Sequence, residues 1–150
     1  MTAYAVKHIS DDRGPITSIM KNVKKQPYSY TSKPEKAEGA AKGRFVYVIE
    51  VQRVSGATSY HLGYKYRARE AHKAAGGSLW GGQFEYKNSV AYGVASDGLY
   101  FDSPVLITDS DFIDWYKSET FGMAEIPGHL LPVLESIFSN PSNGAKAFKI

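Results

Sequence analysis

The sequence predicts an α+β domain with a mostly antiparallel, split β-sheet core and short flanking helices. Three observations lead there. Segments with strand character outnumber those with helical spacing, the helical segments are short, and the dipeptides Ser55-Gly56 and Asp97-Gly98 mark turns between extended stretches. The chain has 150 residues, 43% hydrophobic and 22% charged, which suits one globular domain over residues 1–150 with a core of its own. Its aromatic share of 13%, led by eleven tyrosines, fits half-buried sheet surfaces.

Taken in order, Ala3 to Ile9 reads as a short strand. Asp11-Asp12-Arg13-Gly14-Pro15 is a turn, with aspartates suited to capping and Pro15 to a first helical turn. Ile16, Ile19, Met20 and Val23 follow helical spacing until Lys24-Lys25-Gln26-Pro27 stops them. Tyr28 to Ser32 is extended, and Lys33 to Ala41 is a short helix capped by Ser32. Phe45 to Val54 is the clearest strand, and Thr58 to Tyr66 a second one after the Ser55-Gly56 turn. Ala68 to Ala75 is expected to be a helix ended by Gly76-Gly77. Gln83 to Tyr86 and Val90 to Val94 are extended, and Asp97-Gly98 is a hairpin signal leading into Leu99-Tyr100-Phe101. Val105 to Thr108 is extended. Asp109-Ser110-Asp111 caps a helix through Phe112 to Lys117, Leu130 to Phe138 is a final helix, and Asn140 to Ile150 reads as frayed.

Composition narrows the function classes. A net charge of +3 is ordinary for a soluble protein, and the Lys21, Lys24 and Lys25 cluster reads as a solvated helix end. A nucleic-acid partner stays open, because phosphate contacts need only a local basic patch. The absence of cysteine excludes disulfides and thiolate zinc sites. His8, His61, His72 and His129 show no metal-ligand spacing, and Asp109, Asp111 and Asp114 lack the loop pattern of a calcium-binding EF-hand, so no metal is expected. No Ser-His-Asp triad can be read from spacing alone. The N-terminal residues carry no signal-peptide pattern, and no run reaches the roughly 20 apolar residues of a membrane span.

The most informative segment is the glycine-rich, aromatic stretch Gly76-Gly77-Ser78-Leu79-Trp80-Gly81-Gly82 followed by Gln83-Phe84-Glu85. On a strand, Gln83 and Glu85 project from one face, which sets an amide beside a carboxylate. Upstream stand Tyr28-Ser29-Tyr30-Thr31-Ser32 and the strand from Arg44 to Val51. In this order, over Tyr4 to about Phe101, the chain resembles the mono-ADP-ribosyltransferase toxins with an Arg, Ser-Thr-Ser, Glu signature, such as the cholera, pertussis, clostridial Rho-modifying and pierisin-like toxins.

That resemblance implies NAD as co-substrate and an ADP-ribosyltransferase-like fold. It implies Glu85 as the catalytic carboxylate that stabilises the oxocarbenium-like ribosyl centre and binds the ribose 2′-hydroxyl. Gln83 would hold the acceptor group, with Thr31, Ser32 and Tyr30 beside the nicotinamide pocket and Trp80 and Phe84 on the target surface. In the family a Gln at this place goes with non-arginine acceptors. The first strand departs from the pattern: matching Ser10 to Pro15 with the family's Asp-x-Arg-x-Pro turn puts Ile9 where the Arg belongs. Arg13 and His8 are then the nearest groups for the NAD pyrophosphate, with Lys7 behind them.

The implied activity is a toxin or effector that modifies a host protein in the host cytoplasm, secreted or injected and monomeric as an isolated domain. A guanine-directed transferase acting on nucleic acid and an NAD glycohydrolase are the nearest alternatives. A non-catalytic inhibitor that binds through tyrosine-rich loops is the rival from another class.

Overall fold

The longest apolar run in the sequence becomes the central strand of the larger sheet. A computed structural model of the protein describes residues 3–9, 14–23, 27–31, 43–68, 70–73, 88–91, 98–118 and 123–148. Strand β3 (Phe45–Val54) is buried on both faces from Val46 to Val51. It is flanked by β1 (Ala3–Ile9), which runs parallel to it, and by β4 (Ala57–Arg67), which returns antiparallel after the hairpin. Ser55 and Gly56 both have positive φ, 51° and 80°, the turn that matches the right-handed twist of a two-residue hairpin.

The sheet is completed outward by β7 (Leu99–Leu106), β8 (Met123–Glu125) and β9 (Lys146–Ala147), giving the six-strand order β8-β1-β3-β4-β7-β9. Its β1–β3 pair is parallel and its other pairs are antiparallel. A second sheet of three antiparallel strands has the order β2-β6-β5, from β2 (Tyr28–Thr31), β5 (Glu70–Lys73) and β6 (Asn88–Ala91).

Alternation along the strands divides the core. Ala3, Ala5, Tyr47 and Ile49 pack on one face, with Phe112 and Tyr116 of α2 (Ser110–Ser118) and Leu134 and Phe138 of α3 (Leu131–Ser139). Tyr4, Val6, Val46 and Val48 pack on the other. There they meet Ile16 of a 3-10 turn (Ile16–Ser18), Met20 of the single-turn helix α1 (Met20–Val23), and Tyr28 of β2. β4 changes face midway. Its register slips between Leu62 and Tyr64, so Tyr60 and Leu62 join the helix side and Tyr64 and Tyr66 the other. Gly63 sits at the slip, directly under Ile16. A Cβ there would lie 2.6 Å from Ile16 Cδ1, so a larger residue would have to displace that methyl.

Most elements fall where the sequence puts them. β3 has the expected bounds, and the Asp109 carboxylate caps α2 by accepting the Phe112 N–H at 2.9 Å. Pro132 stands in the first turn of α3. Three expectations are corrected. Residues 70–73, expected within a helix, are strand β5, because pairing with β6 from Glu70↔Ala91 to Lys73↔Asn88 outweighs the helix propensity of Glu and Ala.

The helix expected over Ile16–Val23 is a 3-10 turn followed by one α-turn, and Pro15 precedes it in an extended conformation (ψ 143°). The end of the chain is not frayed through residue 148. Asn140 caps a 3-10 turn (Pro141–Asn143), β9 pairs with β7, and Phe148 is buried against Tyr64 and Tyr100. The helix expected over 33–41 and the strand over 83–86 lie outside the described residues. Gly98 has a use that the hairpin reading did not give: a Cβ on it would stand 2.4 Å from the Lys65 carbonyl, so glycine lets β7 close onto β4. No helix among the described residues is long and apolar enough to cross a membrane.

Candidate functional site

The two sheets are joined through tyrosine hydroxyls of β4. Tyr64 donates to the Tyr28 carbonyl at 2.6 Å, and Tyr66, fully buried, shares a hydrogen bond of 2.6 Å with the Ser29 hydroxyl. β2 is thereby held against the larger sheet. Its other side pairs with β6 in the register Tyr28↔Ala91, Ser29↔Val90, Tyr30↔Ser89 and Thr31↔Asn88. Tyr30 and Thr31, which the family resemblance would set beside a nicotinamide pocket, are therefore backbone neighbours of the first two residues of β6. Asn88 follows Glu85 by three residues in the sequence. Covalent reach alone keeps those two Cα atoms within about 11 Å. Arg13, Ser32, Trp80, Gln83, Phe84 and Glu85 lie outside the described residues.

His8 ends the described part of β1's inner row. It is buried, and its Nε2 stands 2.8 Å from the Gly14 carbonyl, to which it donates. Beside it lies a group that the sequence reading missed. Glu50 is 1% exposed, the only charged side chain that deeply buried among the described residues. Its Oε2 accepts the Ile16 N–H at 2.6 Å and its Oε1 accepts the Gln52 amide at 2.7 Å. Those bonds satisfy a carboxylate that would otherwise be costly to bury. The signal was present: a lone glutamate inside Phe45-Val46-Tyr47-Val48-Ile49-Glu50-Val51 breaks an otherwise apolar run.

Strand register sets His8, Glu50 and His61 in one row across β1, β3 and β4. Gln52 and Ser59 form the next row, and Ser59 Oγ lies 2.9 Å from His61 Nε2. Together His8 and Glu50 hold the Gly14–Ile16 backbone at both of its ends. The turn that follows Arg13 in the chain is thus fixed from below by β1 and β3. No group of three or more His, Cys, Asp or Glu suited to a metal ion occurs among the described residues.

Burial pushes the phenol pKa values of Tyr66 and Tyr47 well above the ordinary tyrosine value. The Tyr66 bond to Ser29 offsets part of that effect, whereas the Glu135 carboxylate beside Tyr47 adds to it. The unfolded chain releases these protons near pH 10 and the folded chain retains them. Their contribution to stability is therefore intact below about pH 10 and is lost as pH rises above it. For Tyr66 the expected slope there is about 1.4 kcal/mol per pH unit. Urea unfolding followed from about pH 9 to about pH 11.5 should show a shallower decline in Tyr66→Phe than in the parent chain. An equally steep decline would assign the effect elsewhere.

No known protein family, curated protein or solved structure was found to match the chain.

Proposed function

We propose that the protein is a mono-ADP-ribosyltransferase that takes NAD and transfers ADP-ribose to a non-arginine side chain of a protein. The observation that supports this reading is the pairing of β2 with β6. It sets the backbone of Tyr30 and Thr31 beside the strand that begins three residues after Glu85. The hydroxyl-bearing strand β2 thereby pairs with the strand that follows the acidic segment in the chain. That is what a carboxylate supported by neighbouring hydroxyls requires.

In this reading Glu85 faces the ribose as the bond to nicotinamide breaks. Its negative charge stabilises the ribosyl cation. The acceptor attacks the anomeric carbon, nicotinamide leaves, and the acceptor's proton is released. Gln83 holds the acceptor. Arg13 clamps the pyrophosphate with bidentate donors, and His8 supports it by holding the Gly14 carbonyl of the same turn.

The test is incubation of the protein with NAD and a eukaryotic cell lysate, with mass spectrometry for the ADP-ribose increment and a parallel assay for free nicotinamide. The increment on a protein acceptor is the expected result. Nicotinamide release without any modified acceptor would replace the transferase with a glycohydrolase. Absence of both, with a stoichiometric partner recovered from the lysate, would replace it with the non-catalytic binder.

A further inference from the structure

The β3–β4 hairpin carries a second constellation, independent of the NAD reading. Ser59 and His61 are two residues apart on β4, so their side chains share a face, and Ser59 Oγ lies 2.9 Å from His61 Nε2. Both are half-buried, which leaves them reachable from solvent. Across the hairpin, Gln52 stands opposite Ser59 and Glu50 opposite His61. Directly opposite residues on one face have Cβ atoms about 4.5–5.5 Å apart. The Gln52 amide is oriented by its 2.7 Å bond to Glu50 Oε1, and Glu50 is itself locked by the Ile16 N–H. A primary amide has two N–H groups, and only one is used in that bond.

From this geometry we infer that Ser59 is a nucleophilic serine that attacks acyl esters, with His61 as its general base and Gln52 as the donor to the developing oxyanion. With the proton of His61 on Nδ1, Nε2 accepts the Ser59 hydroxyl hydrogen. Ser59 Oγ forms a bond to the carbonyl carbon, and Nε2 takes the hydroxyl proton. The second Gln52 N–H bonds the oxyanion. The ester C–O bond then breaks, and the leaving alcohol takes the proton back from Nε2. Water, deprotonated by the same nitrogen, releases the acid and restores the hydroxyl. The net reaction is ester plus water to acid plus alcohol. Glu50, fixed across from the imidazole, balances the positive charge that His61 carries in between.

An alkyl fluorophosphonate tests the serine directly, because attack by Ser59 Oγ forms a P–O bond and expels fluoride while His61 takes the proton. Peptide mass spectrometry should find Ser59 labelled about a hundredfold faster than Ser18 and Ser118, whose hydroxyls donate to backbone carbonyls. His61→Gln should remove that advantage, and Gln52→Ala should slow hydrolysis of p-nitrophenyl acetate with the label still on Ser59. Far-ultraviolet circular dichroism of each variant reports retention of the sheet. Ser59 labelling no faster than at Ser18 and Ser118 overturns the inference, as does undiminished labelling in a folded His61→Gln. Should His61→Gln not fold, the Ser59-to-Ser18 ratio in the parent chain decides the matter alone.

Discussion

Under the proposed transferase activity, Glu85→Gln is expected to lower both ADP-ribose transfer and NAD hydrolysis by about 10²–10³-fold, with the fold and NAD binding retained. The substitution keeps the size of the side chain and removes its charge. A ground-state NAD molecule loses one hydrogen-bond acceptor, whereas the ribosyl cation loses the carboxylate opposite it, so the cost falls on kcat rather than KM. Gln83→Ala should behave differently. It should reduce transfer while sparing hydrolysis, because water needs no acceptor-holding amide. Measured kcat for both reactions in both variants separates the two roles. Full activity in Glu85→Gln would eliminate the assignment whatever the other variant does.

Phe138→Ala should be among the most damaging single changes to stability. Phe138 stacks on Phe101 with ring centroids 4.8 Å apart and an interplanar angle of 17°, and it meets Tyr47 at 6.1 Å. It also carries the Lys65 ammonium 4.9 Å from its ring centre. Lys65 is held there by both oxygens of Glu135, at 2.8 and 3.0 Å, and the Tyr47 hydroxyl donates to the same carboxylate at 2.8 Å. Truncation removes much of the apolar contact between α3 and the sheet, leaving Leu134, and opens a cavity beside a half-buried cation. Phenylalanine-to-alanine changes in cores cost about 3–5 kcal/mol, against a total of about 5–15 for a whole domain. Chemical denaturation should therefore show a midpoint lowered by roughly half its parent value, at unchanged m-value. A loss under about 1 kcal/mol would mean that α3 repacks without the ring.

The α+β character and the core were legible because they rest on local signals. Val46 to Ile49 announce their burial by an unbroken apolar run, and Phe112 with Tyr116 and Leu134 with Phe138 by helical spacing. What escaped was determined at long range. Nothing near Glu70 says that residues 88–91 will pair with it, so an alanine-containing stretch reads as helix. Phe148 looks like part of a terminal tail until Tyr64 and Tyr100 are placed beside it. Within the candidate site, Tyr28 to Thr31 read as extended and form strand β2. Glu50 was passed over because one acidic residue in an apolar strand does not reveal the backbone amide it will meet, 34 positions away. Ser59 carries no signal of its own and His61 has no metal-ligand spacing, and only their hydrogen bond joins them.

The way the larger sheet is closed has a bearing on how the chain emerges from the ribosome. β1 is made before both of its neighbours in the sheet: its parallel partner β3 begins about forty positions later, and its outer neighbour β8 is made only at 123–125. The far border waits for residues 146–147. Both margins of the sheet are therefore sealed by late-synthesised residues, so a nascent or truncated polypeptide ending near residue 120 would present two bare borders open to aggregation.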